Sequence, residues 1–210
     1  HEAAHAWAAL RLGDDTAQRA GQVSLDPIPH IAREPIGMVL LPILTLAFIG
    51  WPLGFASAPY DPVWADRYPR RAGWMALAGP AANLLLFLLA AAGLRWGLAS
   101  GLFQAPEVLS VYSVAATAGS AVGRSLAIFL SLVFVQNLLL MIFNLIPVAP
   151  LDGSAAAALV LPSRAFATYS RLMSQPGMSI IGLVLAWNVF ARLFYPAYRA
   201  AIDLVYAGTL

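Results

Sequence analysis

The chain has 210 residues, of which 60% are hydrophobic and only 10% are charged. Soluble domains usually carry about 25% charged residues, so this composition predicts an integral membrane protein and argues against a soluble one. The absence of cysteine excludes disulfides and thiolate metal ligands. The formal net charge of +2, without a long basic run, gives no sign of a nucleic-acid partner.

The first predicted element is a helix over residues 1–12 that ends at Gly13 and opens with the motif His-Glu-Ala-Ala-His. Since residues four apart share a helix face, His1 and His5 can bind one Zn²⁺. Glu2 is placed to take a proton from a zinc-bound water rather than to bind the metal. The alternative is a helix with two incidental histidines, which a chain with only three histidines disfavours.

A metal ligand at the first residue is an unusual position. A helix over residues 1–12 would be only about 18 Å long, whereas the hydrocarbon core of a bilayer is about 30 Å thick. We therefore expect the chain to be a fragment that is truncated at its N-terminus. At least several helical residues, or a whole span, would precede His1.

Two short segments are predicted to be strands. Residues 22–26 alternate in polarity and are followed by a proline, and residues 55–60 form a second extended segment. Together they predict a small β-hairpin or sheet near the cytosolic face. Such an edge strand could hold an unwound substrate peptide by β-augmentation.

The apolar segments predict an all-α, multi-span helical bundle. Clear membrane helices are predicted over residues 72–96, 125–146 and 178–194. Residues 97–124 form a small-residue connection in which a short surface helix is expected. The aromatic tail from Tyr195 onward is amphipathic and is expected at the membrane interface.

Asp152 is the one carboxylate set among apolar residues next to a membrane helix. An intramembrane carboxylate indicates a functional site, and catalytic zinc usually has three protein ligands and a water. Asp152 can therefore complete the set begun by His1 and His5. The alternative is an aspartate that caps a helix in a turn, which Pro150 and Gly153 would also fit.

The depth of the site favours a particular path for residues 35–54. If this segment crossed the membrane fully, Asp152 would end on the face opposite the histidines, too far for ligand bonds of about 2 Å. If the segment is re-entrant, as its prolines and glycines suggest, Asp152 can reach them. The arginines then concentrate on the side of the histidines, which the positive-inside rule makes cytosolic. That side would hold Arg11, Arg19, Arg33, Arg67, Arg70, Arg71, Arg164 and Arg171.

Three parts of the sequence together resemble the site-2 protease family of intramembrane zinc metalloproteases. They are the His1–His5 motif, the segment from Asn144 through Pro147 to Asp152-Gly153, and Ala78-Gly79-Pro80-Ala81-Ala82-Asn83. The resemblance is closest to the short members without PDZ or CBS domains. It implies a single integral membrane metalloprotease domain over residues 1–210, with a core of three helices. It also implies one Zn²⁺ per chain and hydrolysis of a peptide bond in or near a transmembrane segment of a membrane-protein substrate.

Asn144 and Asn83 are predicted to bind the substrate backbone or to stabilise the oxyanion, the alternative being hydrogen bonds between helices. His30 is predicted to be a loop or interface residue. Two rival functions remain: a membrane metal-binding or transport protein with the same ligands, and an inactive protease-like scaffold. The sequence leaves the oligomeric state and the physiological substrate open.

Overall fold

The computed structural model describes residues 1–50, 52 and 54–207 of the chain. The chain divides into two compact units. The first unit comprises His1–Gly79 and Ala155–Ser170, and the second comprises Pro80–Ser154 and Arg171–Leu210. The first boundary falls inside one long helix, directly before Pro80.

Short helices make up most of the chain before that long helix. They are α1 (Glu2–Leu12), α2 (Thr16–Arg19), α3 (Pro27–Arg33), a π-helical segment (Ile36–Leu40), α4 (Leu41–Ile49) and α5 (Pro62–Arg67). The remaining helices are α6 (Pro69–Ala99), α7 (Ala121–Asn144), α8 (Asp152–Ala156), a 3-10 turn (Ala157–Leu159), α9 (Ser163–Met173) and α10 (Met178–Tyr206).

Helix α1 has the predicted limits and packs through small residues. It ends at Gly13, whose φ of 104° is the left-handed conformation typical of a glycine C-cap. Ala8 and Ala9 are buried in a core cluster with Trp64 of α5 and Met75 of α6. Because alanine side chains are short, α1 approaches these helices closely, which brings its first turn next to α6.

Asp14 ties the end of α1 to the loop before α5. Its carboxylate accepts hydrogen bonds from the backbone N–H of Thr16 at 3.0 Å and from the backbone N–H of Asp61 at 2.9 Å. Burial alone raises the pKa of Asp14, but bonds from the Thr16 hydroxyl and from the Asp61 and Thr16 N–H groups outweigh it. The pKa of Asp14 therefore lies below its ordinary value of 3.8.

We expect Asp14→Asn to lower the free energy of unfolding at neutral pH by about 1–3 kcal/mol, since an amide NH₂ would face donors that the carboxylate now satisfies. A depressed folded-state pKa gives stability that is present above 3.8 and is lost as the pH falls through the folded pKa. The deficit of the variant should therefore shrink in acid, as denaturant unfolding in micelles at several pH values would reveal. Asp15→Asn, which removes an exposed pair with Arg19, should change little. A deficit that does not change with pH would contradict this account.

The predicted β-hairpin is wrong. Among residues 1–50, 52 and 54–207 the only β-type pairing consists of two isolated bridges, and neither involves residues 22–26 or 55–60. Residues 23–25 form bends, and residues 55–60 have no regular secondary structure. Phe55 instead donates one backbone hydrogen bond to the carbonyl of Gly37, at 3.1 Å.

Helix capping explains why residues 22–26 do not form a strand. The Asp26 side chain accepts a hydrogen bond from the N–H of Ile28, and Pro27 occupies the first turn of α3. The pair Asp61-Pro62 starts α5 in the same way. Aspartate at the N-cap followed by proline is a helix-start signal, and here it outweighs the alternation of polarity.

Three helices in the described part of the chain are long and apolar enough to cross a membrane: α6, α7 and α10. They contain nearly all of the three predicted spans, which confirms a mostly helical chain with several candidate membrane spans. The tail from Tyr195 continues α10 without a break. The surface helix expected within residues 97–124 is absent from the structure, which has an isolated bridge between Gln104 and Ala116 there.

Among the described residues of the segment 35–54, the helical part ends at Ile49. The helix Pro27–Arg33 meets the helical stretch Ile36–Phe48 at an angle of 110°. At nine residues, α4 is about 14 Å long and cannot cross the hydrocarbon core by itself. The bend fits either a broken span or a re-entrant loop, so the re-entrant path stays a prediction.

Candidate metal centre

The predicted zinc ligands of α1 lie side by side. The Nε2 atoms of His1 and His5 are 3.0 Å apart, one helical turn separating the two residues. His1, Glu2 and His5 each offer one ligand atom, and these three atoms all lie within 4.8 Å of one another. The helix therefore gathers the motif into one group at its N-terminal end.

The ring of His5 is held in a single orientation. Its Nδ1 donates a hydrogen bond to the backbone carbonyl of Met75 at 2.8 Å, and the side chain is only 6% exposed. A hydrogen on Nδ1 fixes the tautomer in which Nε2 is the metal-binding atom. His5 is thus oriented as a ligand by a residue 70 positions further along the chain.

The spacing of the histidines fits a tetrahedral zinc ion. Two nitrogens bound at about 2.0–2.1 Å with a tetrahedral angle lie about 3.4 Å apart. The observed 3.0 Å separation of the Nε2 atoms requires a shift of only a few tenths of an ångström. The donor set also suits zinc, because imidazole nitrogen and carboxylate oxygen are both among its usual ligands.

Gly79 of α6 leaves room beside the two histidines. A Cβ atom at this position would lie 2.6 Å from Nε2 of His1 and closer still to Nε2 of His5. Both separations are far below a nonbonded contact, so neither ring could keep its position beside a side chain here. A side chain at residue 79 would therefore occupy the space where both ligand nitrogens converge.

Pro80 interrupts the helical hydrogen bonding next to the carbonyl that His5 uses. Proline has no N–H, so the carbonyl of Ala76, four residues earlier, loses its usual helical partner. The carbonyl that accepts from His5 is the neighbouring one, of Met75. The sequence Ala78-Gly79-Pro80 was noted for its family resemblance, but the roles of Gly79 and Met75 were not predicted. A helical glycine directly before a proline was the available signal.

Asp152 belongs to the second unit, where it is the first residue of α8. The turn that precedes it packs on α10. Ile146 and Leu151 form a core cluster with Ala186 of α10, and Gly153 lies against the carbonyls of residues 145 and 146. The position of Asp152 thus depends on close packing of this turn, while its role as a zinc ligand stays a prediction.

Gly182 of α10 is the closest contact of that turn. A Cβ at residue 182 would overlap the carbonyl group of Ala149. We expect Gly182→Ala to displace the turn and with it Asp152, the predicted zinc ligand, and so to weaken zinc binding about 10- to 100-fold, the effect usual for residues that orient a metal ligand. The zinc affinity of the purified variant would test this. Val184→Ala, at an exposed position of the same helix, should leave the zinc affinity unchanged, and an unchanged affinity in Gly182→Ala would contradict the prediction.

The predicted substrate-binding asparagines both make contacts within the second unit. Asn83 is buried, and its amide donates to the side-chain oxygen of Asn137 at 2.8 Å. Asn144 donates to the carbonyl of Leu140 at 3.1 Å. Because an amide NH₂ has two hydrogens, these bonds leave a substrate role for either residue as a prediction.

His30 lies apart from the motif, in α3. It is buried within a helix rather than placed in a loop, and its Nε2 donates to the carbonyl of Ser24 at 3.0 Å. Its Nδ1 and the buried side-chain oxygen of Gln22 have no hydrogen-bond partner among the described residues. The Gln22 amide bonds the carbonyl of Pro29, which folds this loop onto α3.

The chain is similar to three curated bacterial proteins. It is 33% identical over 154 residues to "Putative zinc metalloprotease YwhC" of Bacillus subtilis, which is 73% of this chain and 60% of the relative. It is 32% identical over 158 residues to "Putative zinc metalloprotease Rip2" of Mycobacterium tuberculosis, which is 74% of this chain and 51% of the relative. Rip2 of Mycolicibacterium smegmatis is 35% identical over 91 residues, which is 42% of this chain and 33% of that relative.

The matches thus cover between 33% and 60% of the length of these curated relatives. No family model and no solved structure matches the chain. The names of the relatives agree with the metal-binding geometry of α1. The chain is thus a relative of curated proteins named as zinc metalloproteases, and these names agree with the resemblance of its motifs to the site-2 protease family.

Proposed function

We propose that this chain is the catalytic domain of a zinc-dependent intramembrane endopeptidase. Its substrate would be a membrane protein, cut in or near a transmembrane segment. The observation that carries the proposal is the group of His1, Glu2 and His5, which the structure gathers beside Gly79 of a candidate membrane span. The names of the relatives support metalloprotease chemistry.

Three residues would hold one zinc ion in this proposal. His1 and His5 would bind through Nε2, and Asp152 would supply a carboxylate oxygen as the third ligand. When bound, zinc lowers the pKa of a coordinated water towards 7 and polarises the carbonyl of the substrate. The Met75 carbonyl keeps the His5 ring in its binding orientation during this chemistry.

Glu2 would be the general base and then the general acid. Its carboxylate lies in the same group as the two histidines but follows His1 directly, so it points to the neighbouring part of the helix surface. It would accept a proton from the attacking water on a carboxylate oxygen and return that proton to the leaving amine. Asn144 and Asn83 would donate hydrogen bonds to the substrate backbone or to the carbonyl oxygen of the scissile bond.

We infer that the site opens towards the cytosol. Arg11 lies in the last turn of α1, and five further arginines precede or begin α6. The positive-inside rule assigns such arginine-rich segments to the cytosolic side. The polar residues that follow α1 would give water a route to the site, and the unwound substrate would enter from the bilayer.

Metal removal tests the proposal most directly. The full-length protein, purified in detergent and stripped with a chelator, should lose cleavage of a single-span substrate and regain it with one equivalent of Zn²⁺ per chain. Loss of a residue that only orients a metal ligand usually weakens metal binding about 10- to 100-fold. Asp152→Ala should weaken zinc binding by more than this, because it would remove a ligand itself. Zinc affinity and cleavage rate would be measured on the same samples.

Asp66→Ala, at an exposed carboxylate of α5, is the matched control and should bind zinc normally. Cleavage that survives complete zinc removal would contradict the metalloprotease proposal. Normal zinc affinity in Asp152→Ala would show that Asp152 is not the third ligand, and the rest of the metalloprotease proposal would stand.

A further inference from the structure

Helix α10 carries a polar face that the proposed proteolysis does not use. Asn188, Arg192, Tyr195 and Arg199 follow one another at spacings of four, three and four residues, so they share one side of the helix. All four are exposed. Arg192, Tyr195 and Arg199 line a shallow groove along this side, together with Ala191, Pro196, Ala200 and Asp203. We call this surface the arginine groove.

The opposite side of α10 is the one that packs within the unit. Gly182, Ala186, Ala201 and Val205 are buried there, at helical spacing. Only 11% of the apolar window of α10 is buried, compared with 44% for α6 and 33% for α7. Most of α10 therefore faces outward, and in a membrane that outward surface is in contact with lipid.

The two arginines of the groove, Arg192 and Arg199, make no hydrogen bond or ion pair with any described residue. By contrast, Arg95 donates to the carbonyl of Leu204 at 2.8 Å. Asp203 lies one turn beyond Arg199 and is also exposed, but it forms no ion pair with it. With two guanidinium groups and one carboxylate, the groove is net positive and needs an anion.

The length of α10 places these cations near a membrane surface. Arg199 lies 21 positions after Met178, or about 32 Å along the helix, which matches the roughly 30 Å of the hydrocarbon core. Arg192 lies about 10 Å nearer to the start of α10 than Arg199, and its long side chain can extend towards the headgroups. Tyr195 lies between them, and tyrosine is enriched at this depth.

We propose that the arginine groove binds the phosphate of an anionic phospholipid headgroup. Guanidinium groups bind phosphate oxygens with paired hydrogen bonds, and the phenol hydroxyl of Tyr195 offers a further donor. A second copy of the chain is a poorer occupant. A two-fold contact through this face would bring the arginines of the two copies together, and like charges oppose such an interface.

Lipid titration in detergent micelles tests the proposal. The full-length protein should show a rise in its thermal unfolding midpoint with phosphatidylglycerol and none with phosphatidylcholine. Inorganic phosphate at the same concentration should have little effect, because it lacks the acyl chains that hold the headgroup at the groove. Each interfacial arginine contributes roughly a factor of five to binding, so Arg192→Gln with Arg199→Gln should weaken the apparent affinity about 25-fold.

The matched control is Arg70→Gln with Arg164→Gln, which removes the same charge from two other exposed arginines. It should keep the response to phosphatidylglycerol, and both double variants should keep the unfolding midpoint of the lipid-free protein. If the control pair lost as much of the response to phosphatidylglycerol, general surface charge would explain the effect and the proposal would be overturned. A full response to inorganic phosphate alone, or a change of oligomeric state in the Arg192 and Arg199 variant, would overturn it as well.

Discussion

Replacing Glu2 with glutamine should abolish proteolysis while the protein still binds zinc. The amide has nearly the same shape as the carboxylate, but it cannot take a proton from the attacking water. General acid–base groups typically contribute about 10²–10⁴-fold to the rate, so the turnover number should fall by that factor. His1, His5 and the Met75 hydrogen bond stay in place, so zinc content should remain at one ion per chain. Cleavage of a single-span substrate and metal analysis of the same sample would measure both.

Glu107→Gln is the matched control, because Glu107 is exposed in the second unit and outside the metal group. It should cleave at the normal rate. Normal cleavage by Glu2→Gln would remove Glu2 as the general base. If the unaltered protein bound zinc but did not cleave the substrate, the result would instead favour a metal-binding or transport protein, in which the two histidines are used without a base.

Replacing Gly79 with alanine should remove zinc binding and proteolysis together. The added methyl group would lie 2.6 Å from Nε2 of His1 and nearer to Nε2 of His5, in the space where the two ligands converge. Alanine is the better helix residue by about 0.5–1 kcal/mol, but its methyl group must displace the buried His5 ring, and such overpacking typically costs about 1–3 kcal/mol. We therefore expect zinc content far below one ion per chain, no detectable cleavage and a modestly lower unfolding midpoint of a protein that still folds.

Gly93→Ala in the same helix gives the control for this prediction. A Cβ there would meet only the end of the Leu130 side chain, at 3.3 Å, which can shift by the small distance required. That variant should bind zinc and cleave normally. A Gly79→Ala protein that kept both properties would show that the ion does not lie between the histidines and α6.

Much of the site could be predicted from local sequence. The placement of His1, Glu2 and His5 follows from the helical period, and the structure confirms that their ligand atoms come together. The strand prediction for residues 22–26 was wrong because alternation of polarity is a weak signal over five residues. The stronger signal was Asp26-Pro27, where a side-chain cap and a preset proline φ start a helix.

The sequence by itself determined the membrane class, the three apolar helices and the zinc motif, since each depends on composition or on residues a few positions apart. Only the tertiary structure decided how His5 is oriented and what leaves room for an ion. Met75 and Gly79 contribute a carbonyl and an absent side chain from 70 or more positions beyond His5, and no local periodicity encodes such a contact. It exists because the alanines of α1 allow that helix to pack closely on α6.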